Sequence, residues 1–201
     1  MPYASILNLV PCGVIVVNPR GKILFSNGHA TDVLKENSDL RVDNGFLSAR
    51  SASHKRALSD ALIKLGNPEN SAPVGFSIAR SNRRPLSVVL TRLPSRTSKI
   101  SDKAATSKIA VFVSDPDLKV RRCASLLRDM FDFTPVQTSI SMLMMDSMGT
   151  DKIARELNIT TNTLREHLKL MFPKVNAKNQ SELLHTLLCS PAHFRFPSEA
   201  K

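Results

Sequence analysis

The sequence predicts an α+β protein: an N-terminal antiparallel sheet with helices on one face, then a linker helix and an all-α, four-helix C-terminal domain. Three observations support this class. Short β-branched runs separated by turn residues recur in the first 117 residues. Apolar residues recur at helical spacing from residue 118 onward. The 201 residues are 42% hydrophobic, and at roughly 100–200 residues per domain they can form one or two cores.

Five strands are predicted for the N-terminal sheet. Residues 13–17 and 22–25 flank an Asn-Pro-x-Gly turn, which indicates a β-hairpin. The other three strands are predicted at residues 74–78, 86–93 and 109–113. Between the hairpin and these strands the sequence predicts a helix at 28–34, an alternating segment around a turn at 40–47, and a helix at 52–65. Residues 94–107, rich in Ser, Lys and Thr, are predicted to form a mobile loop.

Three short motifs occur in this segment: Pro11-x-Gly13-Val14 at its start, Phe25-x-Asn27 after the first hairpin, and Ser114-Asp115-Pro116-Asp117 at its end. Together with the order of two strands, helices and three antiparallel strands, they resemble a PAS-like sensor domain over about residues 4–117. The resemblance implies a domain that binds a small molecule, carries a cofactor or dimerises. The choice among these depends on the site and not on the fold.

The sequence predicts no cofactor in this PAS-like domain. A photoreactive flavin domain needs a cysteine in an Asn-Cys-Arg context, whereas Cys12 precedes the first strand. A haem domain needs a positioned histidine, and His29 and His54 are expected to be exposed at helix starts. A small apolar ligand between sheet and helices stays an alternative to a fully packed core, which is preferred.

Residues 133–188 are predicted to form four helices. Thr134-Pro135 is typical of a helix start, with Thr as N-cap and Pro at the first helical position. A second helix is predicted at residues 150–157, a third at 161–174 and a fourth at 181–188. Asn158, between the second and third helices, tolerates the left-handed conformation that a tight turn requires. Two short helices joined by such a turn predict a helix-turn-helix.

The run from Lys152 to Lys169, with Thr134-Pro135, Phe172 and Lys174, resembles the C-terminal DNA-binding domain of LuxR-type transcription regulators. The resemblance covers residues 133–188 without a gap. It implies that residues 161–174 are the recognition helix in the major groove. It also implies that the outward residues of this helix contact bases or phosphates: Thr161, Asn162, Thr163, Arg165, Glu166 and Lys169.

Three residues depart from the family pattern outside the recognition helix. Ser147 stands where Gly is usual, Gly149 stands in place of the usual N-cap Ser, and Lys152 replaces the usual Glu. These departures concern the start of the second helix and one ion pair within the domain.

The side chains of the predicted recognition helix suggest different contacts. Arg165 can bind guanine through two hydrogen bonds, whereas Lys169 acts as a point charge toward phosphate or guanine. Asn162 and Thr163 lie at the positive end of the helix dipole and suit phosphate or adenine. Glu166 can accept from a cytosine amino group or pair with Arg165 or Lys169. Without the surrounding motif, a solvated helix face would explain all of them.

A further helix is predicted at residues 118–131, joining the two domains. Its apolar stripe has helical spacing and consists of Val120, Cys123, Ala124, Leu127, Met130 and Phe131. Two interpretations stay open: the helix packs on a domain of its own chain, or it forms a dimer seam that transmits the sensor state. The predicted division is therefore a PAS-like domain (1–117), a linker helix (118–131), a helix-turn-helix domain (132–190) and a tail (191–201).

Charge and cysteine usage limit the class of protein. The net charge of +11 divides into +7 over residues 1–118 and +4 over residues 119–201, so the DNA-binding hypothesis rests on the motif and not on charge. Cys12, Cys123 and Cys189 form no CxxC or metal pattern and are each expected to be a small, buried free thiol. No apolar run reaches the ~20 residues of a membrane span, and no secretory signal is visible, so a cytoplasmic location is expected.

The sequence thus predicts a bacterial, sequence-specific DNA-binding transcription regulator. One recognition helix reads few base pairs and each mismatch costs only about 1–3 kcal/mol, so binding as a homodimer to two half-sites is expected. Double-stranded DNA and a second copy of the chain are the predicted partners, with RNA polymerase as a further candidate. No membrane partner and no metal are predicted, and the ligand of the PAS-like domain is unknown.

Other classes of protein are less well supported. A sigma-factor-like promoter subunit would have helices in place of the β-rich N-terminal half. A protein-interaction adaptor whose helix-turn-helix no longer binds DNA is a second alternative. An enzyme is not expected, because no nucleophile, base and orienting group fall in a recognisable spacing and no phosphate loop is present. The acidic pattern of a phosphoreceiver domain is also missing from the sequence.

Overall fold

The computed structural model describes residues 4–36, 39–94, 107–118, 120 and 122–195. The chain divides into two compact units, residues 1–118 and residues 119–201. No helix within these described ranges is long and apolar enough to cross a membrane.

The N-terminal unit contains a five-stranded sheet in which all neighbouring strands are antiparallel. Its strands are β1 (Gly13–Val17), β2 (Ile23–Ser26), β5 (Val74–Arg80), β6 (Arg83–Leu93) and β7 (Lys108–Ser114), in the order β2-β1-β7-β6-β5. A separate hairpin pairs β3 (Leu40–Asp43) with β4 (Phe46–Ala49). Its turn residues Asn44 and Gly45 both have positive φ, as a tight two-residue hairpin turn requires. The predicted strands are confirmed, whereas most of the predicted mobile loop lies outside the described residues.

Among its described residues this unit has three helices: α1 (Ala4–Leu7), which was not predicted, α2 (Gly28–Glu36) and α3 (Ala52–Gly66). The close approach of α2 to β1 requires a glycine, since a Cβ on Gly13 would lie 3.0 Å from the Cα of Ala30. α3 buries Leu58, Ala61, Leu62 and Leu65, the stripe expected from its spacing. The core between these helices and the sheet includes Ile15, Val17, Ile78, Leu86, Leu90 and Val111. The α+β class with an N-terminal antiparallel sheet is confirmed.

Asn27 connects three elements of this unit through its buried side chain. Its Oδ1 accepts hydrogen bonds from the backbone N–H of Val14 (2.9 Å) and of Ala30 (2.8 Å). Its Nδ2 donates to the carbonyls of Leu7 (2.7 Å) and Cys12 (3.0 Å). The residue is 1% exposed, so these four backbone groups have little access to water as a substitute partner. The Phe25-x-Asn27 motif therefore has a structural role.

The last of the three motifs, Ser114-Asp115-Pro116-Asp117, ends the domain with an ion-pair network. The Arg80 guanidinium donates to both carboxylate oxygens of Asp115 at 2.8 Å, and both side chains are almost fully buried. Asp117 accepts from the Arg84 Nε at 2.7 Å. This bond to Arg84 holds the pKa of Asp117 below its ordinary value. The network fixes the end of β7 against the hairpin of β5 and β6.

The helix after the sheet begins later than predicted. α4 spans Ala124–Phe131, whereas the sequence predicted a start at Leu118. Leu118 packs against the core of the N-terminal unit, and its N–H donates to the carbonyl of Asp115 in a turn, so it is not available to a helix. Leu127 is fully buried in the core of the helical unit, which favours packing on the chain's own domain. The dimer seam stays a prediction.

The C-terminal unit has the four predicted helices: α5 (Pro135–Met145), α6 (Thr150–Glu156), α7 (Thr161–Met171) and α8 (Gln180–Cys189). Thr134 and Gln137 form a reciprocal capping box at the start of α5. α7 ends at Met171 and not at Lys174, because Pro173 has no N–H to continue the helix and starts a 3-10 turn. Ala192, in the segment predicted to be a tail, is fully buried in this core.

The two turns that flank α6 each contain a residue other than glycine in the left-handed region. Ser147, between α5 and α6, has φ 60°, and Asn158, between α6 and α7, has φ 52°. In this conformation the Cβ of any residue other than glycine crowds the following carbonyl, and Asn offsets this cost through local hydrogen bonds of its side chain better than Ser does. The position at which the resemblance expects Gly therefore has a backbone that favours Gly.

We expect Asn27→Ala to lower the free energy of unfolding of the N-terminal unit by about 2–4 kcal/mol, because it leaves buried N–H and C=O groups without partners. Urea unfolding followed by circular dichroism measures the loss, and hydrogen exchange locates it. Asn18→Ala is the matched control, since Asn18 accepts only two exposed hydrogen bonds and its loss costs about 1 kcal/mol or less. Equal losses in the two variants would contradict the role assigned to Asn27.

We expect Ser147→Gly to raise the free energy of unfolding of the helical unit by about 0.5–1 kcal/mol, since relief of the left-handed strain exceeds the added flexibility of the unfolded chain. The same urea titration measures this gain. Asn158→Gly serves as the comparison and should change the free energy by only a few tenths, roughly, because Asn already tolerates the conformation. A destabilised Ser147→Gly protein would show that the Ser side chain contributes more than it costs.

Candidate nucleic-acid interface

The helices α6 and α7 form a helix-turn-helix with a short, well-bonded turn. The N–H of Ile159 donates to the carbonyl of Ala154 at 2.9 Å, while Asn158 takes the left-handed conformation. Ala154 is 3% exposed, and its small side chain allows the two helices to approach. Ile159 packs against the helical core from within the turn. The angle between α6 and α7 is therefore fixed by backbone bonds and by packing.

α7 has one buried side and one exposed side. Leu164, Leu168 and Met171 are buried at helical spacing and attach the helix to the domain. The six residues predicted to contact DNA are all exposed: Thr161, Asn162, Thr163, Arg165, Glu166 and Lys169. We call these six side chains the recognition face. His167, predicted to pack within the domain, is half-buried.

One ion pair lies within the recognition face. The Lys169 Nζ donates to the Glu166 Oε1 at 2.8 Å, three residues apart on α7. Of the two partners suggested for Glu166 within the chain, the structure selects Lys169. Both side chains are more than half exposed, and such a pair contributes only about 0–1 kcal/mol. Lys169 can therefore exchange Glu166 for a phosphate at little cost.

The start of α7 has a capping residue that the sequence analysis did not identify as a cap. Thr160 is the N-cap, and its Oγ1 accepts from the N–H of Thr163 at 3.1 Å. The two threonine hydroxyls also lie 2.9 Å apart. A threonine directly before an amphipathic segment is the signal that could have identified this cap. The cap satisfies one N–H, while the helix dipole leaves this end attractive to anions.

Lys174, one of the residues behind the LuxR-type resemblance, has a position in the scaffold. Its Nζ donates to the carbonyl of Asp132 and, at 3.2 Å, to the Oε1 of Gln137. It thus connects the segment after α7 to the capped start of α5. Lys174 is a residue that supports α7, and it is not part of the recognition face.

Two expectations about titratable residues were wrong. His29 is 2% exposed, because the stripe His29, Ala30 and Val33 of α2 faces the interior of the unit. Cys189 is exposed on α8, whereas Cys12 and Cys123 are partly buried. Burial raises the pKa of the Cys12 thiol.

Within the described part of the chain, no three His, Cys, Asp or Glu residues form a group that could hold a metal ion.

Comparison with known proteins identifies the helical domain. Residues 133–187 match the model of the bacterial regulatory proteins of the LuxR family. No protein among the curated sequences matches the chain significantly.

Solved structures of similar architecture have low sequence identity to this chain. A complex of phage VqmA with DPO is 11% identical, with 93% of this chain and 87% of that one covered and a TM-score of 0.41. A Vibrio cholerae VqmA dimer without target DNA is 14% identical, with 94% and 86% covered and a TM-score of 0.37. The PAS domain of Bordetella pertussis BvgS is 13% identical, with 64% and 91% covered and a TM-score of 0.39.

These TM-scores are low, so the identification rests on the family match and on the geometry of the domain itself. The match begins at Phe133, just before the capped start of α5, and ends at Leu187 within α8. Helices α5 to α7, most of α8 and the left-handed turn at Asn158 lie within it. Residues 133–187 of this chain are therefore a helix-turn-helix domain of the LuxR type.

Proposed function

We propose that this protein is a transcription regulator that binds specific DNA sequences by placing α7 in the major groove. The observation that carries the proposal is the recognition face: six side chains suited to bases or phosphates project from a helix whose other side is fixed in a LuxR-type domain. A helix is about 10–12 Å wide with its side chains, and the major groove is about 12 Å wide.

The attachment of α7 supports this use of the helix. Base readout requires side chains held in register with base-pair edges, and three buried apolar residues together with the Thr160 cap prevent α7 from rolling or fraying. The exposed α6 residues Lys152 and Arg155 add positive charge on the preceding helix. In a helix-turn-helix the first helix crosses the phosphate backbone, where such charges bind.

The residues of the recognition face differ in their proposed roles. Arg165 reads guanine through the two parallel donors of its guanidinium. Lys169 neutralises a phosphate after leaving Glu166, and Glu166 keeps the lysine extended along the helix until then. Asn162, with Thr161 and Thr163 beside it, lies at the first turn of α7, where backbone N–H groups and the dipole favour a phosphate.

A homodimer is the proposed binding unit. A single recognition helix discriminates only a few base pairs at about 1–3 kcal/mol each, and two helices one DNA turn apart approximately double that discrimination. The PAS-like domain is proposed to sense a signal or to contribute to dimerisation. Its five-stranded sheet disfavours a sigma-factor-like subunit, for which helices are expected in this half of the chain.

Selection of DNA fragments by the purified full-length protein, followed by sequencing, tests the proposed function. A shared motif with two-fold symmetry is the expected result. Failure to retain any genomic fragment at low salt, where non-specific binding is strongest, would reject DNA binding and favour a protein-interaction adaptor.

We expect Arg165→Ala to abolish the preference for the selected site over unrelated DNA, because the variant loses a bidentate base contact worth about 1–3 kcal/mol per half-site. Gel-shift titrations with the selected site and a scrambled site measure the ratio of the two affinities. Arg128→Ala is the matched control, since Arg128 is also exposed but lies on α4. An unchanged ratio for Arg165→Ala would remove this residue from base readout.

We expect Lys169→Ala to weaken binding to the selected and scrambled sites alike, since a phosphate contact is independent of sequence. The slope of log affinity against log salt should fall by about one unit, the value for one neutralised phosphate. Fluorescence anisotropy at several salt concentrations measures the slope. Lys55→Ala, an exposed lysine on α3, should leave it unchanged, and a Lys169→Ala slope equal to that of the unaltered protein would contradict a phosphate contact.

A further inference from the structure

The exposed side of α8 holds an imidazole and a thiol in contact. His185 and Cys189 are four residues apart, and both are exposed. The Cys189 Sγ lies 3.7 Å from Nε2 and 3.9 Å from Nδ1 of His185. The opposite side of the helix buries Leu183 and Leu187 in the core. Neither His185 nor Cys189 belongs to the recognition face, so their proximity is not explained by DNA binding.

The spacing of this pair suits one soft or borderline divalent cation. With Zn–S bonds of about 2.3 Å and Zn–N bonds of about 2.0–2.1 Å at the tetrahedral angle, ligand sulfur and nitrogen atoms lie about 3.6 Å apart. The separation between Cys189 Sγ and His185 Nε2 is within about 0.2 Å of that value, but the sulfur is almost as close to Nδ1, so the imidazole must rotate before one nitrogen and the sulfur point to the same ion. Residues four apart on a helix also form the two-ligand unit of helical zinc sites. Because both side chains are exposed, rotation about their side-chain bonds can aim them at a common ion.

α8 by itself supplies only half of such a site. Structural zinc takes four ligands, and no third His, Cys, Asp or Glu joins the pair among the residues that the structure describes. Glu182, one turn earlier on α8, is engaged elsewhere. Its carboxylate accepts from the N–H of Lys178 (2.8 Å) and from the Asn179 side chain (3.2 Å) at the helix N-cap.

We propose that His185 and Cys189 form one half of a tetrahedral Zn²⁺ site that is completed by the same two residues of a second copy of this chain. In a two-fold symmetric contact each copy presents the same surface, so one pair per copy gives a Cys2His2 ligand set. Each thiol binds as the thiolate and releases its proton to solvent, and the two thiolates balance the charge of the ion.

The surroundings of the pair suit contact with a second copy. Leu188, next to Cys189, is 38% exposed, and Leu184, next to His185, is only partly buried. Residues four apart lie one above the other on a helix, so 184 and 188 form one row and 185 and 189 form the next. The two leucines therefore lie beside the ligands on α8. Apolar contacts beside the metal would exclude water from the Zn–S bonds. The site would link two helix-turn-helix domains through residues that are not on α7.

Cobalt and zinc titrations of the full-length protein, first stripped of metal and reduced, test the proposal. Co²⁺ should produce the sulfur-to-cobalt charge-transfer band and the intense visible bands of tetrahedral cobalt, saturating at one ion per two chains. Zn²⁺ should displace it with the same stoichiometry. If the metal-free protein is a monomer, light scattering should show that its molar mass doubles when the metal binds. If the metal-free protein is already a dimer, its molar mass should stay unchanged while one ion binds per two chains.

Variants separate this site from other thiols. Cys189→Ser should abolish the charge-transfer band and His185→Ala should prevent saturable binding, whereas Cys123→Ser, a partly buried cysteine, should leave the titration unchanged. Saturation at one ion per chain would overturn completion by a second copy. Absence of tetrahedral cobalt bands, or equal bands in the Cys189→Ser protein, would overturn the site itself. Circular dichroism of each variant verifies that the fold persists, and none of these outcomes depends on DNA binding.

Discussion

The structure of the helical domain depends on the burial of one side of α7. A helix of 11 residues is marginal in water by itself, because nucleation is unfavourable and only a few backbone bonds offset it. Leu164, Leu168 and Met171 provide the missing stability by packing into the core, and their burial leaves the other side of α7 available to a ligand. The other features of the domain follow from this need: a small Ala154 for close approach, a left-handed Asn158 for a short turn, and a cap at Thr160. Stability and the proposed recognition of DNA therefore use different sides of the same helix.

Buried polar groups fix positions at which packing alone would allow the chain to slide. Asn27 holds the edge of the N-terminal sheet to α1 and α2, Arg80 and Asp115 hold its last strand, and Arg122 pairs with Asp146 in the helical unit. A buried ion pair contributes little net stability, since desolvation offsets most of the attraction. Breaking it is costly because a lone buried charge remains. Such groups disfavour alternative arrangements, and both PAS-like motifs that contain them have structural roles in this protein.

Sequence periodicity was sufficient to predict the elements whose pattern is local. The stripe of α3, the capped start of α5 and the turn at Asn158 each depend on residues within one turn of helix, and each was confirmed. The burial of His29 could not be predicted in this way, because it depends on how closely α2 packs on a strand distant in sequence. The later start of α4 has the same origin, since Leu118 is retained by the N-terminal core. For Cys189, spacing alone did not reveal the contact with His185, because only the helix boundary places the two residues on one exposed side of α8.

In the proposed complex with DNA, the charges of the recognition face favour discrimination between sequences over general attraction. The helical half of the chain has a net charge of only +4, from 12 Lys and Arg against 8 Asp and Glu over residues 119–201. Within the recognition face, Glu166 offsets the charge of Lys169, and in the proposed DNA complex a phosphate would take its place. Non-specific binding scales with the number of phosphates neutralised, so a reduced positive charge lowers affinity for every sequence. The bidentate contact proposed for Arg165 would not be reduced in the same way, because it requires the correct base edge. The specificity ratio is the affinity for the target site divided by the affinity for unrelated DNA, and it rises when base contacts contribute more than phosphate contacts. This ratio determines how well a regulator finds its site among competing DNA.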